Sequence, residues 1–381
     1  MRETTKIISM YTADTFGVCS AFYELGGMTI MHDASGCNST YSTHDEPRWG
    51  KIKSEVYISA LTEVDAVSGN DQKLIDDILT VANDLKPKFI VICGTPIPTM
   101  TGFDYDGVSK IIEDKTGIKT FGISTTGMKD YINGIEKSFD IMFDNFVGNN
   151  SLKSNTAINN DGGINILGLT PLDYYYGVED TELLNYFKNK NIKINCSFSA
   201  HTDLDSVINS NKADINIVVS EAGLKLARLF RQKLNIDYKT QILISDDIVD
   251  ITELADNFYD RKQKMSVDNL KIIDDDLNNN NHSENYIIAE PFKALAFKKY
   301  LKEKLNIDIN VLYRCSESEL VTILKNAKLV IADGLYKPIV REDAYFINYP
   351  HAAFSGRLYD AEAKTLNDIF SEVKQNEKKF I

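Results

Sequence analysis

Short apolar segments alternate with longer amphipathic segments along most of the chain. The apolar run Phe-Ile-Val-Ile at residues 89–92 follows a helix-like stretch at 73–82, and a similar pair occurs at 215–219 and 222–234. Continuous apolar runs of this kind are typical of parallel strands that helices cover on both faces. The alternation therefore predicts repeated β-α units and parallel sheets. The predicted strands lie at residues 28–31, 89–92, 119–123, 164–169, 192–195, 215–219, 286–290 and 328–334.

Two polar segments divide the chain. Asn and Gly are frequent at residues 149–163, and residues 274–281 contain only Asp and Asn apart from one Leu. A chain of 381 residues is longer than one hydrophobic core normally supports. We therefore expect an α/β protein with three Rossmann-like parallel-sheet domains at residues 1–148, 164–282 and 283–381, with a linker at 149–163 and a solvated loop at 274–281.

Composition limits the class of protein. The formal net charge of −13 argues against a general nucleic-acid-binding or anionic-membrane-binding surface. No segment approaches the ~20 apolar residues that a membrane-spanning helix needs, and the first residues do not resemble a signal peptide. We therefore expect a cytoplasmic protein. Five Cys form an incomplete disulfide framework, so reduced thiols or metal ligands are expected instead.

Three cysteines in the first hundred residues have similar surroundings. Cys19, Cys37 and Cys93 each lie among Gly and small polar residues, with Gly36 before Cys37 and Gly94 after Cys93. Thiolates bind soft metals, and iron–sulfur clusters are held mainly by them. Glycine lets the backbone approach a cluster closely. One such Cys alone is more often a small core residue, but three together indicate an iron–sulfur site.

Three stretches resemble motifs of the nitrogenase component 1 (dinitrogenase-type) family. Residues 32–37, His-Asp-Ala-Ser-Gly-Cys, are similar to the family's His-Gly-x-x-Gly-Cys turn, with Asp in place of the first Gly. Residues 59–69 are similar to its Thr-Glu-x-Asp-x-Val-x-Gly-Gly segment, with Asn70 in place of the second Gly. Cys93 ends a predicted strand, and residues 102–106 resemble the family's Gly-Asp-Asp after its third cysteine. Weaker similarity continues at residues 291–305, 333–337 and 346–359.

The resemblance implies a cluster site. Matched by motif, Cys19, Cys37 and Cys93 fall on the three cysteines that each subunit contributes to an interfacial iron–sulfur cluster of 4Fe–4S or 8Fe–7S type. Gly36 and Gly94 would lie against that cluster. Three thiolates leave a four-iron cluster one ligand short, and a cluster shared by two subunits removes this deficit. We therefore expect the three sulfurs to lie near a common point at a dimer interface.

The resemblance also implies partners. A homodimer and a heterodimer with a sister subunit are both compatible with it, and electrons would come from a separate ATP-hydrolysing iron protein. The sequence contains no Gly-x-x-x-x-Gly-Lys-Ser/Thr phosphate loop. ATP hydrolysis is therefore expected in the partner.

Other positions depart from the family. Ser220 lies where the cofactor-holding cysteine of nitrogenase is expected, and Ser is a poor ligand for soft iron, so a molybdenum–iron-type cofactor is not expected. Cys196 is interpreted as part of the core or of a pocket wall, and Cys315 as a structural thiol at a strand end. His351, where the resemblance places the active-site cavity, is a candidate proton donor or ligand, and the simpler interpretation is a packed surface histidine.

Four polar motifs have simple structural alternatives. Glu63 and Asp65 are candidates for orienting the cysteine loops or for proton delivery, against helix capping. Residues 44–46, His-Asp-Glu, are a candidate metal site, against a solvated loop. The turn at 124–127 is a candidate anion cradle, and the three tyrosines at 174–176 are candidates for a pocket wall, against packing between domains.

The leading hypothesis is the cluster-bearing component of a nitrogenase-like, ATP-dependent reductase that passes low-potential electrons to a substrate among the three domains. One alternative is the homodimeric reductive cyclase of nickel-tetrapyrrole (sirohydrochlorin-type) biosynthesis. A second is a non-catalytic scaffold for metal-cluster assembly. A solute-binding protein of similar domains is a third, which the cysteines and the absent signal peptide argue against.

Overall fold

Three sheets organise the chain. The computed structural model describes residues 6–7, 11–147, 163–264 and 283–380. One sheet lies in each of the three predicted α/β units, which confirms the predicted fold class. The predicted linker at 149–163 lies outside the described residues apart from Gly163, and the predicted loop at 274–281 lies outside them entirely. Among the described residues, no helix is both long and apolar enough to cross a membrane.

The first sheet has four parallel strands. They are β1 Met28–Met31, β2 Glu55–Ile58, β3 Ile90–Cys93 and β4 Thr120–Ile123, in the spatial order β2-β1-β3-β4. The helices of this unit are α1 Asp14–Phe22, α2 Glu63–Ser68, α3 Asp71–Leu85, α4 Pro96–Thr101, α5 Tyr105–Thr116 and α6 Tyr131–Met142. β1 and β3 are buried along their whole length, as covered parallel strands are. β2 is a partly exposed edge strand, so it has no apolar run and the sequence did not predict it.

The middle sheet has five strands. They are β5 Ile164–Leu169, β6 Ile194–Ser199, β7 Ile215–Val218, β8 Tyr238–Ile244 and β9 Asp247–Asp250. The order is β6-β5-β7-β8-β9, and only the β8–β9 pair is antiparallel among these. The helices of this unit are α7 Glu179–Asn189, α8 Leu204–Asn209, α9 Glu221–Leu234 and α10 Thr252–Lys264. The strand predicted at 192–195 starts two residues later and continues to Ser199, through alternating Ser that hid it.

The third sheet has four parallel strands. They are β10 Asn285–Ile288, β11 Asn310–Val311, β12 Leu329–Ala332 and β13 Tyr345–Asn348, in the order β11-β10-β12-β13. The helices of this unit are α11 Pro291–Leu305, α12 Glu317–Ile323, α13 Ala352–Ser355 and α14 Leu366–Asn376. α13 contacts the segment Tyr41–Asp45, so the first and third units are in contact.

Helix α1 is buried along its whole length, and it packs closely on α6. The contact depends on two glycines. A Cβ atom at Gly17 would lie 2.1 Å from the carbonyl oxygen of Tyr131, and one at Gly134 would lie 1.9 Å from that of Asp14. Because a larger side chain at either position would force the two backbones apart, the position of α1 depends on these glycines.

Arg48 connects the first unit to the middle unit. Its side chain is fully buried and forms ion pairs with Glu46 at 2.8 Å and Glu24 at 2.9 Å. It also donates to the carbonyl oxygens of Ser20 in α1, at 2.8 Å, and Ser199 at the end of β6, at 3.3 Å. A buried cation needs this many partners because its desolvation is costly.

Replacing Arg48 should destabilise the protein strongly. Arg48→Met leaves Glu46 buried without its cation, and breaking a buried pair in this way costs about 3–5 kcal/mol. The matched control is Arg341→Met, because Arg341 pairs with Asp343 on the surface, where solvent screens such a pair and it contributes little to stability. The free energy of unfolding from urea titration measures both. Equal effects of the two substitutions would contradict the role assigned to Arg48.

Candidate functional site

The carboxyl ends of the four strands of the first sheet gather most of the predicted site residues. In a parallel sheet these ends lie at one edge, where α/β proteins commonly bind ligands. The segments that follow the strands carry, in chain order, His32 to Cys37, Ser59 to Thr62, Gly94 and Thr95, and residues 124–127. Helix α1 adds Cys19 to this edge, because its sulfur lies 4.0 Å from that of Cys93.

Cys19 and Cys93 form a buried pair of thiols. Both side chains are fully buried, and the Cys93 Sγ also lies 3.5 Å from the carbonyl oxygen of Ile30. The separation of 4.0 Å is well beyond the ~2.05 Å of a disulfide. It is close to the ~3.8 Å between two thiolates on one tetrahedral metal with 2.3 Å bonds. Burial and the neighbouring Cys93 raise the pKa of the Cys19 thiol well above its ordinary value, so without a metal this thiol stays protonated.

Cys37 lies apart from this pair. It is exposed in the loop that follows β1, and its amide donates to the carbonyl oxygen of Ala34 at 3.2 Å. Within the ranges that the structure describes, no three Cys, His, Asp or Glu side chains converge as a metal site. Two of the three predicted sulfurs are therefore brought together, and the third is not. The donor chemistry, soft thiols beside a Gly-rich loop, fits iron–sulfur ligation.

Two polar side chains fix the start of the Cys37 loop. Asp33, which replaces the family's glycine, accepts from the Ala34 amide and from Asn38 Nδ2, both at 2.8 Å. Ser59 Oγ lies 2.9 Å from His32 Nδ1 and accepts from the Asp33 amide at 3.0 Å. Burial lowers the pKa of His32 to about 4, with nearby Asp33 opposing the shift, so His32 is neutral at pH 7. Sequence reasoning missed Ser59, since nothing local marks its contact with His32.

The two predicted site glycines have different surroundings. A Cβ atom at Gly94 would lie 1.9 Å from the Tyr105 hydroxyl and 2.6 Å from the Thr125 carbonyl oxygen. Packing against the protein itself therefore requires glycine at this position. A Cβ atom at Gly36 would have no atom of the described residues within 4 Å. Gly36 thus leaves open space beside Cys37.

The carboxylate of Asp14 occupies the turn at 124–127. The amides of Thr126 and Gly127 donate to the Asp14 carboxylate at 3.0 and 2.7 Å. The prediction that this turn cradles a free anion is therefore wrong, because a carboxylate of α1 fills it. No local pattern indicates this contact, since more than a hundred residues separate the partners.

The capping alternative holds for residues 63–65, whereas the solvated-loop interpretation of residues 44–46 is wrong for Glu46, which is buried and pairs with Arg48. Thr62 caps α2, and Asp65 accepts from its hydroxyl at 2.6 Å and from Asn70 Nδ2 at 2.9 Å. His44 is exposed and lies 3.3 Å from its neighbour Asp45. Thr62, Asp65 and His44 behave as capping and surface groups in the described structure.

His351 lies in a buried junction between the three units, so the interpretation as a packed surface histidine is wrong. Its Nε2 lies 3.1 Å from Asp173 Oδ1 of the middle unit, and its amide donates to Asp333 at 2.8 Å. The hydroxyl of Tyr131, at the start of α6, donates to the same Asp173 oxygen. Asp173 Oδ2 is buried and accepts no hydrogen bond from the described residues.

Lys293 occupies the same junction. Its side chain is buried, donates to the Asp173 carbonyl oxygen at 2.5 Å and pairs with Glu179. Tyr349 donates to Glu179 at 2.8 Å, and the Tyr174 ring centre lies 3.6 Å from the Lys293 nitrogen. Tyr174 thus packs between units, as the simpler interpretation of the tyrosine motif expected.

Ser220 and the two remaining cysteines are buried within the protein. Ser220 is buried and donates to the Gly168 carbonyl oxygen at 2.7 Å, so its hydroxyl has a structural partner. Cys196 is buried in β6, where burial raises its pKa to about 12. Cys315 is buried against the third sheet.

Known proteins resemble this chain in sequence. The nitrogenase iron-molybdenum cofactor biosynthesis protein NifE of Clostridium pasteurianum is 26% identical over 213 residues, which cover 55% of this chain and 44% of that protein. The nitrogenase molybdenum-iron protein beta chain of Methanothermobacter thermautotrophicus is 29% identical over 118 residues, which cover 30% of this chain and 25% of that protein. The matches therefore cover less than half the length of these relatives.

Solved structures share the fold. Nitrogenase Cp1 at pH 5 superposes with a TM-score of 0.66 at 14% identity, covering 99% of this chain and 89% of that one. Nitrogenase Cp1 at pH 6.5 gives a TM-score of 0.64 at 13% identity, covering 100% and 94%. The family model for nitrogenase component 1 type oxidoreductases matches residues 15–252, which is more than half of the chain. The chain belongs to the nitrogenase component 1 type oxidoreductase family.

Proposed function

We propose that the chain is a cytoplasmic, nitrogenase-like subunit that holds an iron–sulfur cluster with Cys19, Cys37 and Cys93 at the interface with a second subunit. A separate ATP-hydrolysing iron protein supplies its electrons. The carrying observation is the buried Cys19–Cys93 pair, 4.0 Å apart at the sheet edge from which the Cys37 loop extends. Gly36 and Gly94 border the cluster.

Three thiolates require a second source of ligands. A 4Fe–4S cluster takes four cysteines, so a single chain is one short, and two copies or a sister subunit supply six thiolates for a shared 4Fe–4S or larger 8Fe–7S cluster. The exposure of Cys37 supports this arrangement, because a ligand to a shared cluster must be reachable from the partner.

An apolar surface beside the cysteines supports a partner there. Val64 and Val67 of α2, Met100 of α4 and Met128 after β4 are 75–86% exposed. All four lie on segments that follow strands of the first sheet, on the same edge as Cys93. Clustered exposed apolar side chains mark protein interfaces. We name these four residues the apolar face and propose that the second subunit covers it.

The junction of the three units is the proposed substrate region. The cluster, when bound, supplies low-potential electrons, and each reduction also consumes protons. His351 Nε2, Asp173 Oδ1 and the Tyr131 hydroxyl form a hydrogen-bonded chain that can move a proton inside the protein. The unpartnered Asp173 Oδ2 leaves one acceptor for a substrate or water. We therefore propose His351 as the proton donor; a tetrapyrrole, as in the reductive cyclase, and a smaller substrate both remain compatible.

A scaffold for metal-cofactor assembly is the second candidate. The relative from Clostridium pasteurianum carries the name of a cofactor biosynthesis protein, and a NifE of Methanococcus maripaludis is 21% identical over 193 residues. The structural use of Ser220, where nitrogenase has a cofactor-holding cysteine, argues against permanent retention of a molybdenum–iron-type cofactor by this chain.

Removing one buried thiol should abolish iron binding. After anaerobic purification we expect stoichiometric iron and acid-labile sulfide in the unmodified protein and a near-complete loss in Cys93→Ala, because the cluster loses a ligand. Cys196→Ala is the matched control, since that buried thiol lies outside the site. A folded, iron-free parent that resists reconstitution would contradict the proposal, and so would equal iron loss in both variants.

A substitution on the apolar face should weaken subunit association. Val67→Lys places a charge on the face, and we expect the dissociation constant of the dimer to rise at least tenfold, or about 1.4 kcal/mol. Val321→Lys is the control, because Val321 is an exposed valine on α12 of the third unit. Sedimentation velocity measures both. An unchanged dimer in the first variant, or dissociation in both, would contradict the assignment of this face.

Turnover and metal transfer separate the two candidates. With an iron protein and MgATP, the reductase predicts ATP-dependent oxidation of the iron protein that His351→Gln slows while iron content stays unchanged. The scaffold predicts no such turnover and release of bound iron to an apo-acceptor protein. Steady oxidation of the iron protein without iron transfer would reject the scaffold, and iron transfer without oxidation would reject the reductase.

A further inference from the structure

A cavity at the outer edge of the middle sheet has an unusual lining. It measures about 560 Å³ and lies between the end of α7, the edge strand β6 and the start of α8. Among the described residues that line it there is no Asp or Glu. The chain as a whole carries 55 acidic residues against 42 Lys and Arg. The cavity therefore differs in charge from the rest of this acidic protein.

The cationic groups come from two adjoining elements. Lys188 lies at the end of α7, and Lys193 lies in the connection between α7 and β6. His201, which follows β6, is the third, and its Nε2 lies 2.6 Å from the carboxylate of Asp180 in α7. Asp180 offsets any charge on His201, so the positive charge of the lining belongs to the two lysines.

The imidazole of His201 is fixed in place. The Tyr176 ring stacks on it, with the ring centres 4.9 Å apart and an angle of 8° between the planes. Asp180 is held in turn by the Gly177 amide at 2.7 Å. The hydrogen bond to Asp180 raises the pKa of His201, with partial burial opposing the shift.

Two buried polar atoms in the lining lack partners. Ser197 is 3% exposed, and its Oγ has no hydrogen-bond partner among the described residues. The same holds for Asn195 Nδ2. Asn195 and Ser197 both line the cavity, and the pairing of β6 with β5 shifts register at Asn195. Leaving a buried donor unsatisfied costs free energy, and an acceptor in the cavity would remove that cost.

We propose that this cavity binds a small, multiply charged anion bearing phosphate or carboxylate oxygens. Lys188 and Lys193 supply the charge attraction, while Ser197 Oγ and Asn195 Nδ2 donate hydrogen bonds to the anion's oxygens. Asn185 adds a further amide to the lining. The site is separate from Cys19 and Cys93, so the proposal does not depend on the cluster.

Calorimetric titration of the full chain with inorganic phosphate and, separately, with malonate tests the proposal. Tighter binding of phosphate identifies phosphoryl groups as the ligand chemistry, and tighter binding of malonate identifies carboxylates. Lys193→Gln should weaken binding about tenfold or more, the effect of one charged hydrogen bond. Lys190→Gln should change the binding affinity less than about twofold, because Lys190 does not line this cavity.

Ser197→Ala separates a binding role from a structural one. Removing an unpartnered hydroxyl should leave thermal stability unchanged or higher, while phosphate or malonate affinity falls several-fold. Absence of binding by both anions would overturn the proposal. So would equal weakening by Lys193→Gln and Lys190→Gln, which would show general charge attraction, or unchanged affinity in Ser197→Ala.

Discussion

The close contact between α1 and α6 determines where Cys19 lies in the first unit. The two helices approach until backbone meets backbone at Gly17 and Gly134, and Asp14 then fills the turn after β4. α1 is consequently locked to the carboxyl edge of the first sheet at its first turn, and one turn later it presents Cys19 to Cys93. Helix α1 is buried and is held by one carboxylate and two glycines. The position of the Cys19 thiol is therefore well defined, but a substitution at any of these three residues would disturb it.

The junction of the three units follows a different principle. Its interior is polar, and its groups are paired across units, as in the Lys293–Glu179 ion pair and the His351–Asp173 hydrogen bond. Such pairs rarely add stability over apolar packing, because desolvation offsets the attraction between the charges. Glu290 caps the start of α11, where it accepts a hydrogen bond from the Lys293 amide. Burial and the nearby Asp173 raise its pKa well above its ordinary value, which is a sign of this cost. A polar interior of this kind is common at functional sites, which agrees with a substrate region there.

The sequence predicts those elements whose burial leaves a pattern within the element itself. Strands such as β3 and β5 are buried on both faces, so their apolar runs are visible in the sequence, whereas the edge strand β2 has a mixed pattern and was missed. The family motifs predict Cys19, Cys37 and Cys93 as cluster ligands from the sequence alone. Contacts between distant residues could not be predicted: Asp14 reaches the turn at 126–127, and Asp173 reaches His351 across 178 positions. No periodicity or spacing encodes such pairs, because tertiary packing alone brings them together.

Cluster binding and subunit association should be thermodynamically linked if the proposed function is correct. The Cys19 thiol is protonated when no metal is present, because burial raises its pKa, so iron must displace a proton from the site and affinity rises with pH. Cys37 is exposed and separate from the buried pair, so completing the ligand set requires ordering its loop. A partner that covers the apolar face supplies both the missing ligands and the contacts that hold this loop. Each event then stabilises the other by the same free energy, since binding linkage is reciprocal. A chain with two buried thiols and one exposed thiol is thus suited to hold its cluster firmly only when a second subunit is present.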